Sequence, residues 1–179
     1  MNFFSLVPLL GGIFNLALSL FVYLNERRSR LTQVFFCWGL CISIWNLGTY
    51  ALFRLPAGSA YFGEAYVWAK LMQYGVIFIP VTMLHLCLLL ADRKPGRWIV
   101  LLYLVHGGFA VMNAFDLFIS GVRHVGYAYY SEAGIGFKIY GVAFVQTFAS
   151  IFILAKKRAS LPPRQRSSFN SILIAQALL

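Results

Sequence analysis

Residues 66–91, YVWAKLMQYGVIFIPVTMLHLCLLLA, decide the fold. One charge, Lys70, stands near the start of this run, and Pro80 stands in its middle. The run exceeds the roughly 20 apolar residues that a helix needs to cross the hydrocarbon core of a bilayer. In lipid an open strand would leave its N–H and C=O groups unpaired, so the crossing has to be helical. Continuous apolarity also differs from the in–out alternation of an outer-membrane barrel strand.

Outward from this run the pattern repeats. Apolar runs occupy 3–24, 34–53, 98–118 and 137–155, and a sixth begins at 169 and reaches the last residue, 179. At 1.5 Å per residue that last piece makes about 16 Å of helix, half the hydrocarbon thickness. The reading is an all-α polytopic transmembrane bundle filling 1–179, with five complete spans and a sixth cut short, as in a fragment. Composition agrees: of 179 residues 60% are hydrophobic and 11% charged, and mean hydropathy is +0.75. A soluble domain carries about 25% charged residues, and one of this size could not hide so much apolar surface. A soluble enzyme, a disordered chain and a disulfide-stapled secreted domain are excluded; Cys37, Cys41 and Cys87 all lie inside apolar runs.

Charge sets the orientation. Arg27, Arg28, Arg30, Arg93, Lys94, Arg97, Lys156, Lys157, Arg158, Arg164 and Arg166 flank the breaks after the first, third and fifth runs. Only Arg54, Lys70, Arg123 and Lys138 fall on the other side. Basic residues mark the cytoplasmic side, so the N-terminus is expected outside. The net charge of +10 then reflects topology and anionic headgroups rather than nucleic acid. The first run has its charges after it, which suits an uncleaved anchor rather than a secretory signal.

Polar residues within spans are the functional suspects. Lys70 lies about one turn inside the outer end of the third span, shallow enough to snorkel, and Asp116 lies at similar depth in the fourth, so the two are a candidate pair. Gln73 follows Lys70 on the same face. Pro80 breaks the backbone ladder and is a candidate hinge, with Thr82 as the expected local partner for the freed carbonyls. The long connector of about 119–136 carries Arg123, Tyr127, Tyr130 and Glu132 among glycines, the composition of a short hairpin lid. Lys70, Gln73, Asp116, Arg123, Tyr127, Tyr130 and Glu132 are accordingly the candidate signal-binding residues, against interfacial anchoring and helix packing as the plainer roles. Cys37, Cys41, His85 and Cys87 have zinc or copper(I) chemistry, but with no C-x-x-C they read first as a packed helix interface; no metal and no cofactor is expected. Gly11, Gly12, Gly107, Gly108 and Gly141 are the expected points of close helix approach. No H-E-x-x-H, G-x-S-x-G or P-loop is present, so no catalytic residue is assigned.

Several pieces together resemble a family: Trp45-Asn46-Leu47-Gly48-Thr49-Tyr50, Trp68-Ala69-Lys70-Leu71-Met72-Gln73-Tyr74-Gly75, Pro80 followed by His85-Leu86, and Leu117-Phe118-Ile119-Ser120-Gly121-Val122 running into Gly126-Tyr127. In this order they are similar to the N-terminal seven-transmembrane sensor region of bacterial histidine kinases, also found on diguanylate cyclases. The resemblance covers essentially the whole chain. It implies a multi-pass protein of the bacterial inner membrane, N-terminus outside, acting as the input module of a two-component system. It further implies a homodimer, a cytoplasmic output domain in cis, and a small-molecule, peptide or lipid signal. The alternatives are a transporter or channel component, disfavoured by the scarcity of midplane polar residues, and a structural membrane subunit.

Overall fold

The computed structural model describes residues 3–162 and Asn170. It is 76% helical. Helix α1 spans Phe3–Asn25, α2 Arg30–Arg54, α3 Phe62–Leu90, α4 Trp98–Ala114, α5 Ile135–Tyr140 and α6 Phe144–Ala159. A single 3₁₀ turn, Gly141–Ala143, joins α5 to α6, so Ile135–Ala159 forms one apolar rod. Among the described residues four helices are long and apolar enough to cross a membrane: α1, α2, α3 with its preceding turn, and the α5–α6 rod. The sixth expected run, 169–179, lies outside the described residues apart from Asn170.

α4 departs from expectation. The apolar run continues to Phe118, yet the helix ends at Ala114 after 17 residues. Asp116 takes a left-handed conformation, φ 62°. The amides of Leu117 and Phe118 then fold back onto the Met112 carbonyl at 2.9 and 3.3 Å, which satisfies the orphan acceptors of the last turn. Phe118 is fully buried against Phe109, Phe137 and Tyr140. Apolarity here serves protein packing, which hydropathy does not distinguish from lipid exposure.

α3 is the axis, packed against α2, α4 and α6, while α1 lies on α2. Its burial on most faces explains why the run is apolar all round; α1 and α6 instead turn Phe14, Phe21, Phe148 and Phe152 outward. The α2–α3 crossing is close because Gly75 lies against the Cys41 carbonyl and the Trp45 amide, and Gly48 against Met72. Gly12 meets Leu47, as expected of a contact glycine, whereas Gly107, Gly108 and Gly141 face open space. The glycines that matter most were therefore not the paired ones.

The long connector departs from pure helix. Strand β1, Ile119–Val125, pairs antiparallel with β2, Ala128–Ala133, through a turn at Gly126 and Tyr127; Gly126 has φ 63°. Tyr129 anchors this hairpin. Its hydroxyl donates to the Gly58 carbonyl at 2.7 Å and accepts from the Gly58 amide at 3.1 Å, fastening the α2–α3 connector to the sheet. At the opposite end of the bundle, Lys157 of α6 meets Asp92 beyond α3 at 2.6 Å.

Candidate functional site

Pro80 dictates the arrangement at the centre of the bundle. Proline has no N–H, so the carbonyl four residues back, that of Val76, loses its helical donor. Tyr140 supplies one from another helix: its hydroxyl donates to Val76 O at 2.7 Å and lies 3.3 Å from Ile77 O. His106 of α4 reaches the same turn, with Nδ1 on the Ile77 carbonyl. A carbonyl only accepts, so Nδ1 carries the proton, and Nε2 accepts from Gln146 of α6 at 3.0 Å. Three elements thus converge on one kink. Thr82 does not perform the role expected of it: its hydroxyl donates to Phe78 O and Ile79 O, at 2.8 and 3.1 Å. The missing N–H at Pro80 leaves this turn open to hydrogen bonds from outside the helix.

A second group lies at the hairpin end. Lys70 Nζ is 2.5 Å from Asp116 Oδ1 and 3.0 Å from the Ala114 carbonyl. Tyr66 donates to the same carboxylate at 2.8 Å, and Asn113 donates to the Lys70 carbonyl at 2.9 Å. The candidate pair therefore forms, and it closes the end of α4 onto α3. The hydrogen bond from Lys70, reinforced by that from Tyr66, holds the Asp116 carboxyl below its ordinary range.

Gln73, buried one turn deeper, joins the hairpin instead: Nε2 donates to Ser131 Oγ at 3.2 Å. Its Oε1 is buried with no hydrogen-bond partner among the described residues. Arg123, Tyr127, Tyr130 and Glu132 are exposed on the hairpin. Arg123 stands opposite Tyr130 and Glu132 opposite Gly121 in the register. Tyr127 packs edge-on to Phe53 at 5.6 Å, and its hydrogen bond to Tyr130 raises the Tyr130 pKa. The seven sequence candidates thus divide into a Lys70–Asp116 bridge, a Gln73–Ser131 strut and an exposed hairpin surface, rather than one cluster.

Cys37, Cys41, His85 and Cys87 do not assemble: among the described residues no group of three or more potential ligands forms. Cys87 is buried with Met83 and Leu154, and His85 Nδ1 lies 3.2 Å from the Tyr103 hydroxyl. No site for a metal is built from them.

Between α2, α3 and the α5–α6 rod lies a cavity of about 450 Å³. Ile42 and Trp45 line one wall, Met72, Gln73, Val76, Ile79, Pro80 and Met83 the second, and Phe137, Tyr140, Phe144 and Thr147 the third. Its position joins the Gln73 strut to the Pro80 kink. Sequence reasoning missed Tyr140, His106, Gln146 and Ser131. A signal existed for two of them: a histidine within an apolar run is a functional suspect, and a mid-span proline requires a donor for the carbonyl four residues earlier.

A model of the N-terminal 7TM region of histidine kinase matches residues 7–179. No curated protein and no solved structure gives a match.

Proposed function

The chain belongs to the family of N-terminal 7TM regions of histidine kinases, and from that premise we propose how it carries a signal. It is a membrane sensory input module. In our reading it works in a two-component sensor kinase of the bacterial inner membrane, as a homodimer, with its N-terminus and hairpin outside. The distribution of basic residues supports that orientation: Lys156, Lys157 and Arg158 close α6 at the end away from the hairpin. The signal arrives at the outer face or within the bilayer, and the output domain lies in cis on the cytoplasmic side.

One observation carries the mechanism. The hairpin and the rod that follows it grip α3 at two successive places on the N-terminal side of its weak point: Ser131 holds Gln73, and Tyr140 holds Val76, whose carbonyl Pro80 leaves without a helical donor. A displacement of the hairpin therefore bends α3 rather than sliding over it, and α3 runs on to the basic end. Lys70, Gln73, Asp116, Arg123, Tyr127, Tyr130 and Glu132 are the residues through which a signal would act, with Pro80 as the hinge. A signal shifts this equilibrium only by binding one arrangement better than the other.

The test locks the strut. In a chain freed of its native cysteines, Gln73→Cys with Ser131→Cys is oxidised, and output from the full-length protein is followed as histidine phosphorylation. The expected result is an output fixed at one level and restored to responsiveness by reduction. An unchanged response in the oxidised protein, or in Asp116→Ala with Arg123→Ala at normal expression, would sink the reading.

A further inference from the structure

We propose that the cavity between α2, α3 and the α5–α6 rod binds a lipophilic molecule carrying a single hydroxyl head, with the Gln73 amide as its polar anchor. Three features of the molecule point there. Its volume, about 450 Å³, falls in the range of small-molecule sites, roughly 300–1,000 Å³. The wall along α3 runs from Met72 to Met83, about 16 Å at helical rise, which favours an elongated guest. Apart from Gln73 and Thr147 the wall is apolar or aromatic, including Trp45, Met72, Pro80 and Phe137.

The head group follows from Gln73. The residue is 3% exposed. Ser131 occupies one end of its amide; the other end is fully buried with no partner among the described residues, so a guest bonds to it only once the amide swings toward the cavity. A buried amide oxygen without a donor is costly. If the amide is turned over, Ser131 donates to the oxygen and the NH₂ group is left over instead. A hydroxyl both donates and accepts, so an alcohol head satisfies either orientation, whereas a hydrocarbon satisfies neither. Among the described residues no cation lines the cavity, so a carboxylate or phosphate head would find no counter-charge among them.

The site explains how a membrane-soluble molecule reaches the kink. A guest on Gln73 competes with, or orders, the strut to Ser131, and its tail lies on Pro80 and Tyr140. In taking that guest to be the signal, the assignment rests on the sensory reading above; its occupancy does not.

Trp45 in the wall provides the readout. The full-length protein with Trp45 kept and every other tryptophan, Trp38, Trp68 and Trp98 among them, replaced by Phe is placed in nanodiscs, and ω-bromo-undecanol is added as a heavy-atom quencher. Saturable quenching of Trp45 is expected. Gln73→Leu should weaken it about fivefold, the equivalent of one neutral hydrogen bond, and bromo-undecane should bind the native chain no better than the alcohol binds Gln73→Leu. Val76→Phe, which fills the cavity, should abolish the saturable phase. Quenching that rises linearly and is indifferent to both variants is bilayer partitioning and overturns the site. So does equal quenching of Trp45 in nanodiscs of brominated phospholipid without alcohol, which would make the occupant an acyl chain. Absence of quenching in both arms also overturns it, because neither alcohol nor lipid would then enter the space. Saturable binding that leaves histidine phosphorylation unchanged would uphold the site and remove the guest as signal. Loss of response on locking the strut, without any saturable binding, would uphold the sensory reading and overturn the site.

Discussion

Replacing Tyr140 by Phe deletes one oxygen atom and leaves the ring, which is 1% exposed, in place. What is lost is the donor to Val76 O, at 2.7 Å, and the longer contact to Ile77 O. Removing one partner of a buried hydrogen bond costs about 1–3 kcal/mol, because the remaining carbonyl cannot return to water; we take about 2 kcal/mol. The same carbonyl can be satisfied differently. Pro80→Ala restores an N–H at position 80, which is the normal helical donor to Val76 O. In that background Tyr140→Phe should cost only about 0.5 kcal/mol, the low end for a net neutral hydrogen bond. The difference, about 1.5 kcal/mol, is a coupling energy of the size seen between contacting residues. Equilibrium unfolding in mixed micelles with rising SDS, followed by tryptophan fluorescence, measures all four corners of this cycle. If the two substitutions add to within about 0.3–0.5 kcal/mol, the sites are independent, and Tyr140 is packing in the core rather than completing the kink. His106→Phe serves as the control, since it removes the donor to Ile77 O and should couple less to position 80.

Gly75→Ala should destabilise the chain by about 1–3 kcal/mol, the usual cost of overpacking, since a Cβ there meets the α2 backbone; Gly107→Ala and Gly108→Ala should be neutral or slightly stabilising in the same unfolding assay. Asp116 is ionised more readily in the folded chain than its ordinary value of 3.8 allows. Its contribution is therefore fully present above that value and is lost as pH falls through the lower folded one. Acid unfolding scanned below pH 3.8 should show this loss, and Asp116→Asn should flatten it; a slope unchanged by Asp116→Asn would refute the assignment. Tyr129→Phe should release the α2–α3 connector from the hairpin, read as faster hydrogen exchange at the Gly58 amide with little change at the α3 core.

The long apolar helices were legible in the sequence because their signal is additive: many apolar residues in a row outweigh any single exception. The hairpin was legible too, since tyrosines flanked by Gly121, Gly126 and Gly134 fit a short antiparallel turn. The end of α4 was not, because Leu117 and Phe118 look alike to hydropathy whether they face lipid or fold under Asp116. Lys70 with Asp116 could be paired from depth alone. The partners of Pro80 could not, because Tyr140 and His106 are brought to it by tertiary packing across 64 and 29 residues of chain, counted from their carbonyl acceptors Val76 and Ile77. Close-approach glycines were legible only in part, for a related reason: Gly12 does meet Leu47, but Gly48 and Gly75 are ordinary single glycines until the neighbouring helix is known.

The cross-helix satisfaction of α3 also has a timetable. Val76 and Tyr140 are 64 residues apart, and ribosomes add about 5–20 residues per second. Roughly 3–13 s therefore separate the synthesis of that carbonyl from the synthesis of its donor. During biogenesis α3 must enter the membrane, or wait beside it, with a backbone group that only water or a headgroup can satisfy. His106 is made first and reaches the neighbouring carbonyl of Ile77 before the hairpin exists, but the Val76 carbonyl still waits for Tyr140. The central helix is thus the one most dependent on late-made chain, and nascent chains stalled before Tyr140 should leave it the segment most open to membrane quality-control proteases.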